Sequence, residues 1–284
     1  MQEGKIVKII SNLYGVKTSL GYIECRARGK FRNDKITPLV GDFVEIDPKE
    51  RYILNILERK NSLNRPQICN VDAALIVTSL KKPDISYNLL DKLILVIKES
   101  QIEPVICITK IDLLGFFEKR KIKKVLNYYQ KIGIKVFYNN KLSDLVKYLK
   151  GKTVVLTGQT GAGKSSLLNK LNKNLNLETN PISDALGRGV HTTRHTEIHE
   201  VDGIYFADTP GFSSINLENI NKDNIMIGFP EFNEFTCDYK DCHHIDEKEC
   251  KVKKGVNEGK ILKSRYESYV SFFKELKKWL VFRF

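Results

Sequence analysis

The chain of 284 residues is 42% hydrophobic and 29% charged, a composition typical of folded proteins and long enough for two or three domains with cores of their own. A mostly disordered chain is therefore not expected. No apolar run approaches the ~20 residues of a membrane span, and the N-terminus lacks a signal peptide, so we expect a cytoplasmic protein without a membrane partner. The net charge of +13 favours a polyanionic partner such as RNA, although a lysine-rich genomic composition produces the same excess.

The first sixty residues alternate apolar and polar positions in short runs broken by Gly, Asn and Asp. This pattern predicts five antiparallel strands, at residues 5–10, 14–18, 21–26, 42–46 and 51–57. Five strands in so short a segment suit a barrel of the OB type, which commonly binds RNA. Four cations surround Phe31 in residues 26–32. They fit either a base-stacking phosphate contact or a solvated basic hairpin, and the sequence favours neither.

Beyond Asn64-Arg65-Pro66 the pattern changes to continuous apolar strands that alternate with helices. Residues 73–78 and 104–109 are predicted buried strands, separated by a helix over residues 88–100. The second strand runs into a T-K-x-D element: Thr109, Lys110, Ile111 and Asp112. The Asp112 carboxylate can accept hydrogen bonds from guanine N1–H and the exocyclic amine, a donor pair that adenine lacks, while the Lys110 stem lies across the base. The element predicts guanine selection.

A second motif, G-x-x-x-x-G-K-S, predicts a phosphate-binding P-loop between a strand at residues 152–157 and a helix that carries Leu167, Leu168 and Leu171 on one face. Glycines let backbone N–H groups converge on phosphate oxygens at the helix N-terminus. Lys164 can reach the β and γ phosphates and is also a predicted catalytic residue, and Ser165 can ligate Mg²⁺. The predicted nucleotide-binding residues here are Gly158, Gln159, Thr160, Gly161, Ala162, Gly163, Lys164, Ser165 and Ser166.

Two further segments complete a GTPase constellation. The loop at residues 187–194 is of the type that places a threonine on Mg²⁺; we prefer Thr193 for the metal and for catalysis, with Thr192 the close alternative. A strand at residues 203–208 ends in D-x-P-G, where Asp208 can hold the Mg²⁺ shell and the Gly211 N–H can reach the γ phosphate.

The residue that positions the attacking water is not evident from these motifs. Phe212 follows the D-x-P-G element, where many GTPases carry a glutamine, and an aromatic ring cannot hydrogen-bond this water. We therefore predict His191 as the general base, against the alternative of a solvated loop histidine.

The six cysteines fall into two groups. Cys25, Cys69 and Cys107 stand among apolar neighbours and are expected in cores. The other three cysteines lie within fourteen positions, beside two histidines. Together they predict one closed, structural Zn²⁺ site, with His243 as the alternative to His244 for the nitrogen ligand. Its predicted ligands are Cys237, Cys242, His244 and Cys250.

The last 34 residues combine a strong charge with a helical apolar pattern. Residues 251–284 hold ten Lys/Arg against three Glu. They also carry an apolar stripe at alternating spacings of four and three: Leu262, Tyr266, Tyr269, Phe273, Leu276 and Leu280. The stripe predicts an amphipathic helix that packs on its own domain and turns a lysine face toward RNA.

The order of the motifs is unusual, because T-K-x-D follows the P-loop in an ordinary GTPase but here Asp112 precedes Gly158 by 46 residues. With a β-barrel before it and a Cys/His cluster after it, the chain resembles, over nearly its whole length, the RsgA (YjeQ/EngC) family of circularly permuted small ribosomal subunit biogenesis GTPases. One departure is visible: members usually back the base with a small Ser-Ala-like pair, whereas residues 136–140 here are Val-Phe-Tyr-Asn-Asn. No base-backing residue is assigned.

The resemblance implies an α/β fold with three domains: an OB-fold RNA-binding domain at 1–63, a permuted G domain at 64–220, and a zinc-binding, mostly helical domain at 221–284. It implies GTP hydrolysis with Mg²⁺ on the immature small ribosomal subunit and its rRNA, one structural Zn²⁺, and a monomer that alternates between GTP and GDP. D-x-P-G leads directly into the C-terminal domain, so nucleotide state can change rRNA contact or release.

Two other functions fit parts of the sequence. One is a nucleotide-gated RNA-binding assembly factor whose hydrolysis is incidental. GTP-dependent docking with negligible GTP turnover, even when small subunits are present, would indicate this function. The other is an ATP-using P-loop enzyme in which the T-K-I-D element is accidental. Competition between ATP and GTP distinguishes this last reading from the GTPase.

Overall fold

The computed structural model describes residues 1–29, 31, 36–64, 67–171, 197–208, 217 and 220–281. These form two compact units. The first unit comprises Met1–Leu75, Lys141–Thr157 and Lys164–Ser213; the second comprises Ile76–Asn140, Gly158–Gly163 and Ser214–Phe284. In the described ranges, no helix has the length and apolarity to cross a membrane.

The secondary structure is as follows. The strands are β1 (Gln2–Ile10), β2 (Leu13–Thr18), β3 (Gly21–Ala27), β4 (Phe43–Asp47), β5 (Tyr52–Ile56), β6 (Ser62–Asn64), β7 (Gln67–Cys69), β8 (Ala73–Ser79), β9 (Glu103–Thr109), β10 (Lys135–Tyr138), β11 (Thr153–Thr157), β12 (Glu197–Val201) and β13 (Ile204–Asp208). The helices are α1 (Tyr87–Glu99), α2 (Phe116–Lys131), α3 (Leu142–Leu149), α4 (Lys164–Leu171), α5 (Lys251–Asn257) and α6 (Lys263–Val281). Short 3₁₀ helices cover Ile111–Leu113, Lys222–Gly228 and Pro230–Glu234.

A closed five-stranded barrel occupies the start of the first unit. β1 pairs antiparallel with both β2 and β4, β2 with β3, and β4 with β5, while β3 and β5 run parallel and close the ring. Alternate residues point inward, as the period-2 pattern predicts, so Ile6, Val16 and Cys25 are fully buried. The predicted OB-type barrel is confirmed, and its strand bounds agree with the sequence pattern to within a few residues.

The remainder of the first unit is built on β11, β12 and β13. β11 runs parallel to β13, and β12 pairs antiparallel with it. β12 also pairs with the barrel strand β1, where Lys8 lies opposite Glu197 and their side chains form an ion pair of 2.8 Å. Hydrogen bonds therefore join the barrel directly to the strand that follows the predicted threonine loop.

In the second unit, a parallel β9–β10 pair lies beside β8. β8 is buried at every position, as its continuous apolar run predicts. Helix α1 begins at the Ser86 cap, whose hydroxyl accepts a hydrogen bond from the Leu89 N–H. The predicted helix at 88–100 is thus confirmed with a shift of one residue.

Arg265 of α6 lies fully inside the second unit, although its charge suggests a surface position. Its guanidinium donates to the Asp91 carboxylate at 2.8 Å and to both oxygens of Glu231 at 2.8 and 3.0 Å. The Tyr129 hydroxyl donates to the same Asp91 oxygen at 2.7 Å, and the Phe229 ring centroid lies 4.4 Å from the guanidinium carbon. One of the ten cations of the C-terminal segment therefore holds α6 against α1.

The amphipathic stripe predicted for the C-terminal helix is present on α6. Tyr269, Phe273 and Leu276 are buried in the core of the second unit, and Tyr266 is half-buried beside them. Leu262 lies before the first residue of the helix, and the side chain of Leu280 falls outside the described part. The stripe thus packs on its own unit.

Candidate nucleotide and metal sites

The P-loop follows β11 in a backbone conformation that requires glycine. Gly158 has a φ of +128°, and an added Cβ would stand 2.1 Å from the Val77 carbonyl oxygen of β8, closer than any side chain can approach. Gly161 and Gly163 also have positive φ angles, +78° and +95°. Side chains are strained in this region, which explains why the motif requires glycine at 158 and 163 and why glycine also suits position 161.

The T-K-x-D element, predicted to select guanine, is hydrogen-bonded directly to the P-loop. The hydroxyl of Thr109, which is 2% exposed, donates to the Ala162 carbonyl at 2.6 Å. Lys110, which has a left-handed backbone with φ +56°, donates from Nζ to the Gly161 carbonyl at 2.9 Å and also to the Lys82 carbonyl. Two elements 46 residues apart in the chain thus form one structure in the second unit.

Asp112 lies in the 3₁₀ helix Ile111–Leu113 and is exposed. Among the described residues, no hydrogen bond or ion pair occupies its carboxylate, so both oxygens are open to a base edge. After β10, the Asn139 N–H donates to the Ile108 carbonyl at 2.9 Å, so the residue that follows β10 lies beside the end of β9.

Lys164, the P-loop lysine, begins helix α4, and Ser165 and Ser166 follow in its first turn. Burial lowers the pKa of Lys164, because the partly desolvated ammonium is disfavoured. Phosphate oxygens would reverse this effect, since an opposite charge stabilises the ammonium.

The remaining predicted nucleotide residues cannot be placed. His191, Thr192, Thr193 and Gly211 lie outside the described residues, as does the side chain of Asp208, whose backbone ends β13. The roles assigned to them therefore stay predictions.

The four predicted zinc ligands converge in the second unit, with all ligand atoms within 4.8 Å of one another. His244 Nδ1 lies 3.6, 3.3 and 3.4 Å from the sulfurs of Cys237, Cys242 and Cys250, and the Cys237 and Cys250 sulfurs are 3.9 Å apart. A tetrahedral Zn²⁺ with ordinary bond lengths requires separations of about 3.6 Å for N···S and about 3.8 Å for S···S. The residues therefore fit the metal.

Neighbouring side chains hold the histidine ligand in place. Burial lowers the pKa of His244, which favours the neutral imidazole that a metal binds. Its backbone carbonyl accepts from the Tyr266 hydroxyl at 2.7 Å, and the Tyr269 hydroxyl donates to the carbonyl of His243 at 2.9 Å. His243 itself is turned toward the Phe273 ring, with centroids 5.2 Å apart, so the geometry selects His244.

Comparison with known proteins places the chain in a family. The RsgA GTPase family profile matches residues 56–218, and the RsgA N-terminal domain profile matches residues 3–52. The chain belongs to the RsgA GTPase family. Small ribosomal subunit biogenesis GTPases RsgA from Geobacillus sp. (strain WCH70) and Caldanaerobacter subterraneus are 44% and 45% identical to this RsgA family member; the alignments cover 98% and 97% of this chain and 98% and 96% of the relatives.

Solved structures confirm the fold of this RsgA family member. YloQ, described as a circularly permuted GTPase, superposes with a TM-score of 0.83 at 37% identity, covering 98% of this chain and 96% of that chain. YjeQ from Thermotoga maritima gives a TM-score of 0.83 at 34% identity, covering 97% and 98%. The predicted circular permutation is therefore confirmed, together with the N-terminal barrel and the C-terminal helical region.

Proposed function

We propose that this chain is a GTP hydrolase that acts on the small ribosomal subunit during its late maturation and couples its nucleotide state to rRNA contact or release. The junction between Thr109 and Ala162 carries the proposal, because it joins a guanine-reading element to a phosphate-binding loop. Family membership and the names of the relatives support the same function. We further propose that the protein works as a cytoplasmic monomer.

Each part of the nucleotide site has a proposed role. Asp112 selects guanine, and the P-loop amides with Lys164 hold the phosphates. Ser165, Thr193 and Asp208 are the residues that would hold Mg²⁺, which supplies positive charge to the phosphate oxygens when bound.

The hydrolytic step and the zinc site complete the proposal. His191 orients and deprotonates the attacking water, and the Gly211 N–H binds the γ phosphate. The Cys/His cluster holds one structural Zn²⁺, since four protein ligands leave no open position. We retain three functional domains, at 1–63, 64–220 and 221–284.

The nucleotide assignment is tested by competition at equilibrium. GTP and GDP should displace a fluorescent guanine nucleotide from the full-length protein, and ATP should not. Asp112→Asn should weaken GTP binding by up to several kcal/mol, the scale of a charge-assisted bidentate pair, and partly restore binding of xanthine nucleotides, which present the complementary oxygen.

The outcomes of this competition distinguish the candidate functions. Equal displacement by ATP, or unchanged GTP affinity in Asp112→Asn, would contradict guanine selection and favour an ATP-using enzyme. GTP-dependent docking on small subunits with negligible turnover would instead favour an assembly factor whose hydrolysis is incidental.

A further inference from the structure

The first turn of α2 exposes two aromatic rings. Phe116 and Phe117 are 78% and 83% exposed, and their rings meet edge to face with centroids 5.7 Å apart. They lie close to the T-K-x-D element along the chain, because its last residue, Asp112, is only four positions before Phe116. Rings this exposed bury almost no apolar surface in the fold, so their contribution to its stability is small.

The same helix is strongly basic. Lys119, Arg120, Lys121, Lys123, Lys124 and Lys131 are all exposed, and Glu118 is its only acidic residue. Glu118 is already engaged: it accepts from the Gly115 N–H at 2.8 Å and from Lys81 at 3.1 Å. Within the part of the chain that the structure describes, none of the five cations at 119–124 forms an ion pair. Their charge is available to a partner.

Helical geometry places aromatic and basic groups on one line. At 100° per residue, Phe117, Arg120, Lys124 and Lys131 lie on the side opposite the buried Ile122, Leu126 and Tyr129. The apolar stripe of α2 is thus used by the core of the second unit, and the outward side presents a ring followed by cations. We call Phe116, Phe117, Arg120 and Lys124 the α2 surface.

We propose that the α2 surface binds RNA, with unpaired bases stacked on the phenylalanine rings and the backbone phosphates paired with Arg120 and Lys124. Exposed aromatics beside a row of cations are the combination by which proteins hold single-stranded nucleic acid. A lipid surface would require a continuous apolar face, which α2 has already buried. This inference rests on the proposed function for its biological partner, the rRNA of the small subunit.

Four double variants test the α2 surface in the full-length protein. Phe116→Ala/Phe117→Ala removes the rings, and Phe116→Leu/Phe117→Leu keeps apolar bulk without an aromatic face. Arg120→Ala/Lys124→Ala removes two outward cations. Lys135→Ala/Lys141→Ala removes two exposed cations outside α2 and is the matched control. Because all the substituted side chains are exposed, the variants should unfold in urea like the wild type.

Binding is measured by fluorescence anisotropy with a labelled twelve-nucleotide oligoadenylate RNA and with purified small ribosomal subunits, across a series of KCl concentrations. Both phenylalanine variants should bind each probe roughly 5- to 150-fold more weakly, the scale of losing one stacked base. Arg120→Ala/Lys124→Ala should lower the slope of log affinity against log salt by about 1.4 on the oligonucleotide, about 0.7 for each lost phosphate contact. The control should change neither quantity.

Several outcomes would overturn the inference. Wild-type affinity of the alanine variants for both probes would show that the α2 surface does not contact RNA. With small subunits, weak binding by Phe116→Ala/Phe117→Ala together with full binding by Phe116→Leu/Phe117→Leu would indicate contact with an apolar protein surface instead of RNA. Anionic phospholipid vesicles serve as a third probe. If the variants weaken binding to the vesicles but to neither RNA probe, the partner of the α2 surface is a membrane.

The inference and the proposed function fail separately. If the wild type does not bind small subunits but binds the oligonucleotide through the α2 surface, the inference stands and the ribosomal role falls. If every variant binds both probes with wild-type affinity and its GTP turnover is stimulated by small subunits, the ribosomal role stands and the inference falls.

Discussion

Replacing Thr109 by valine tests whether the guanine-reading element and the P-loop act as one site. Thr109→Val removes the hydroxyl that donates to the Ala162 carbonyl at 2.6 Å. Thr109 is only 2% exposed, so water cannot easily replace this hydrogen bond. A buried acceptor left without its donor costs about 1–3 kcal/mol. The P-loop can either keep its conformation and bear this cost, or shift so that the carbonyl reaches water.

These two responses divide the same free energy in different ways. A loop that keeps its conformation lowers the free energy of unfolding of the nucleotide-free protein. A loop that shifts lowers nucleotide affinity, because binding must restore the productive conformation. We therefore expect the loss of unfolding free energy and the loss of GTP binding free energy to total about 1–3 kcal/mol, which is roughly 5- to 150-fold if it falls entirely on affinity.

The measurement combines urea unfolding with titration of a fluorescent GTP analogue. Thr109→Ser is the matched control: it keeps the hydroxyl and loses one buried methyl group, so it should lose up to about 0.8 kcal/mol of stability and no nucleotide affinity. The selectivity for guanine over adenine should persist in both variants, since Asp112 is unchanged. A summed effect of Thr109→Val below about 0.5 kcal/mol, or an equal loss of affinity in Thr109→Ser, would show that the Thr109 hydroxyl does not hold the P-loop.

Two further predictions concern the metal cluster and hydrolysis. Cys250→Ser should lower the zinc content by about one ion per chain and loosen the segment around 230–260, whereas Cys25→Ser, in the barrel, should retain zinc; elemental analysis that finds no zinc in the wild type would contradict the site. Nucleotide affinity should stay near wild type in the zinc-site variant. His191→Ala should reduce subunit-stimulated GTP turnover by roughly 10²-fold or more with little change in GTP affinity, while His199→Ala, an exposed histidine of β12, should behave as wild type; normal turnover in His191→Ala would remove this residue from the catalytic list.

The sequence predicts the parts of this protein that depend on local pattern. Alternation along residues 5–57 predicts the barrel strands because one face of each strand is buried and the other is not. The P-loop is predictable because its spacing of glycines before Lys164 and Ser165 is local, and the structure shows why Gly158 is needed: an added Cβ would meet the Val77 carbonyl. The zinc ligands are predictable because thiolates and imidazoles clustered in one short segment match a closed tetrahedral shell.

Contacts between distant residues are the part that the sequence does not reveal. In the sequence, Arg265 is one of many cations in a basic segment and is expected at the surface. The fold instead brings it into the core beside Asp91, 174 residues away. The sequence places Thr109 in a motif predicted to select guanine, whereas in the structure its hydroxyl hydrogen-bonds to the P-loop carbonyl of Ala162. The antiparallel pair of β6 and β7 does not follow from the sequence, because strands of three residues are too short to show an alternating pattern.

The exposure of the two aromatic rings at the start of α2 is also not predictable from the sequence. Phe116 and Phe117 belong to no sequence motif, and two apolar residues at the start of a helix ordinarily pack inward. Their exposure becomes apparent only when the buried stripe of α2 is seen to run through Ile122, Leu126 and Tyr129 instead. Here the structure supplies a candidate binding surface that the pattern of residues does not.

GTP turnover of the purified protein, measured with and without purified small subunits, shows whether its activity depends on the small ribosomal subunit. We predict slow phosphate release from the protein alone and a clear increase with small subunits, with no such increase from large subunits or when ATP replaces GTP. Turnover that is unaffected by small subunits, or that proceeds equally with ATP, would contradict the account.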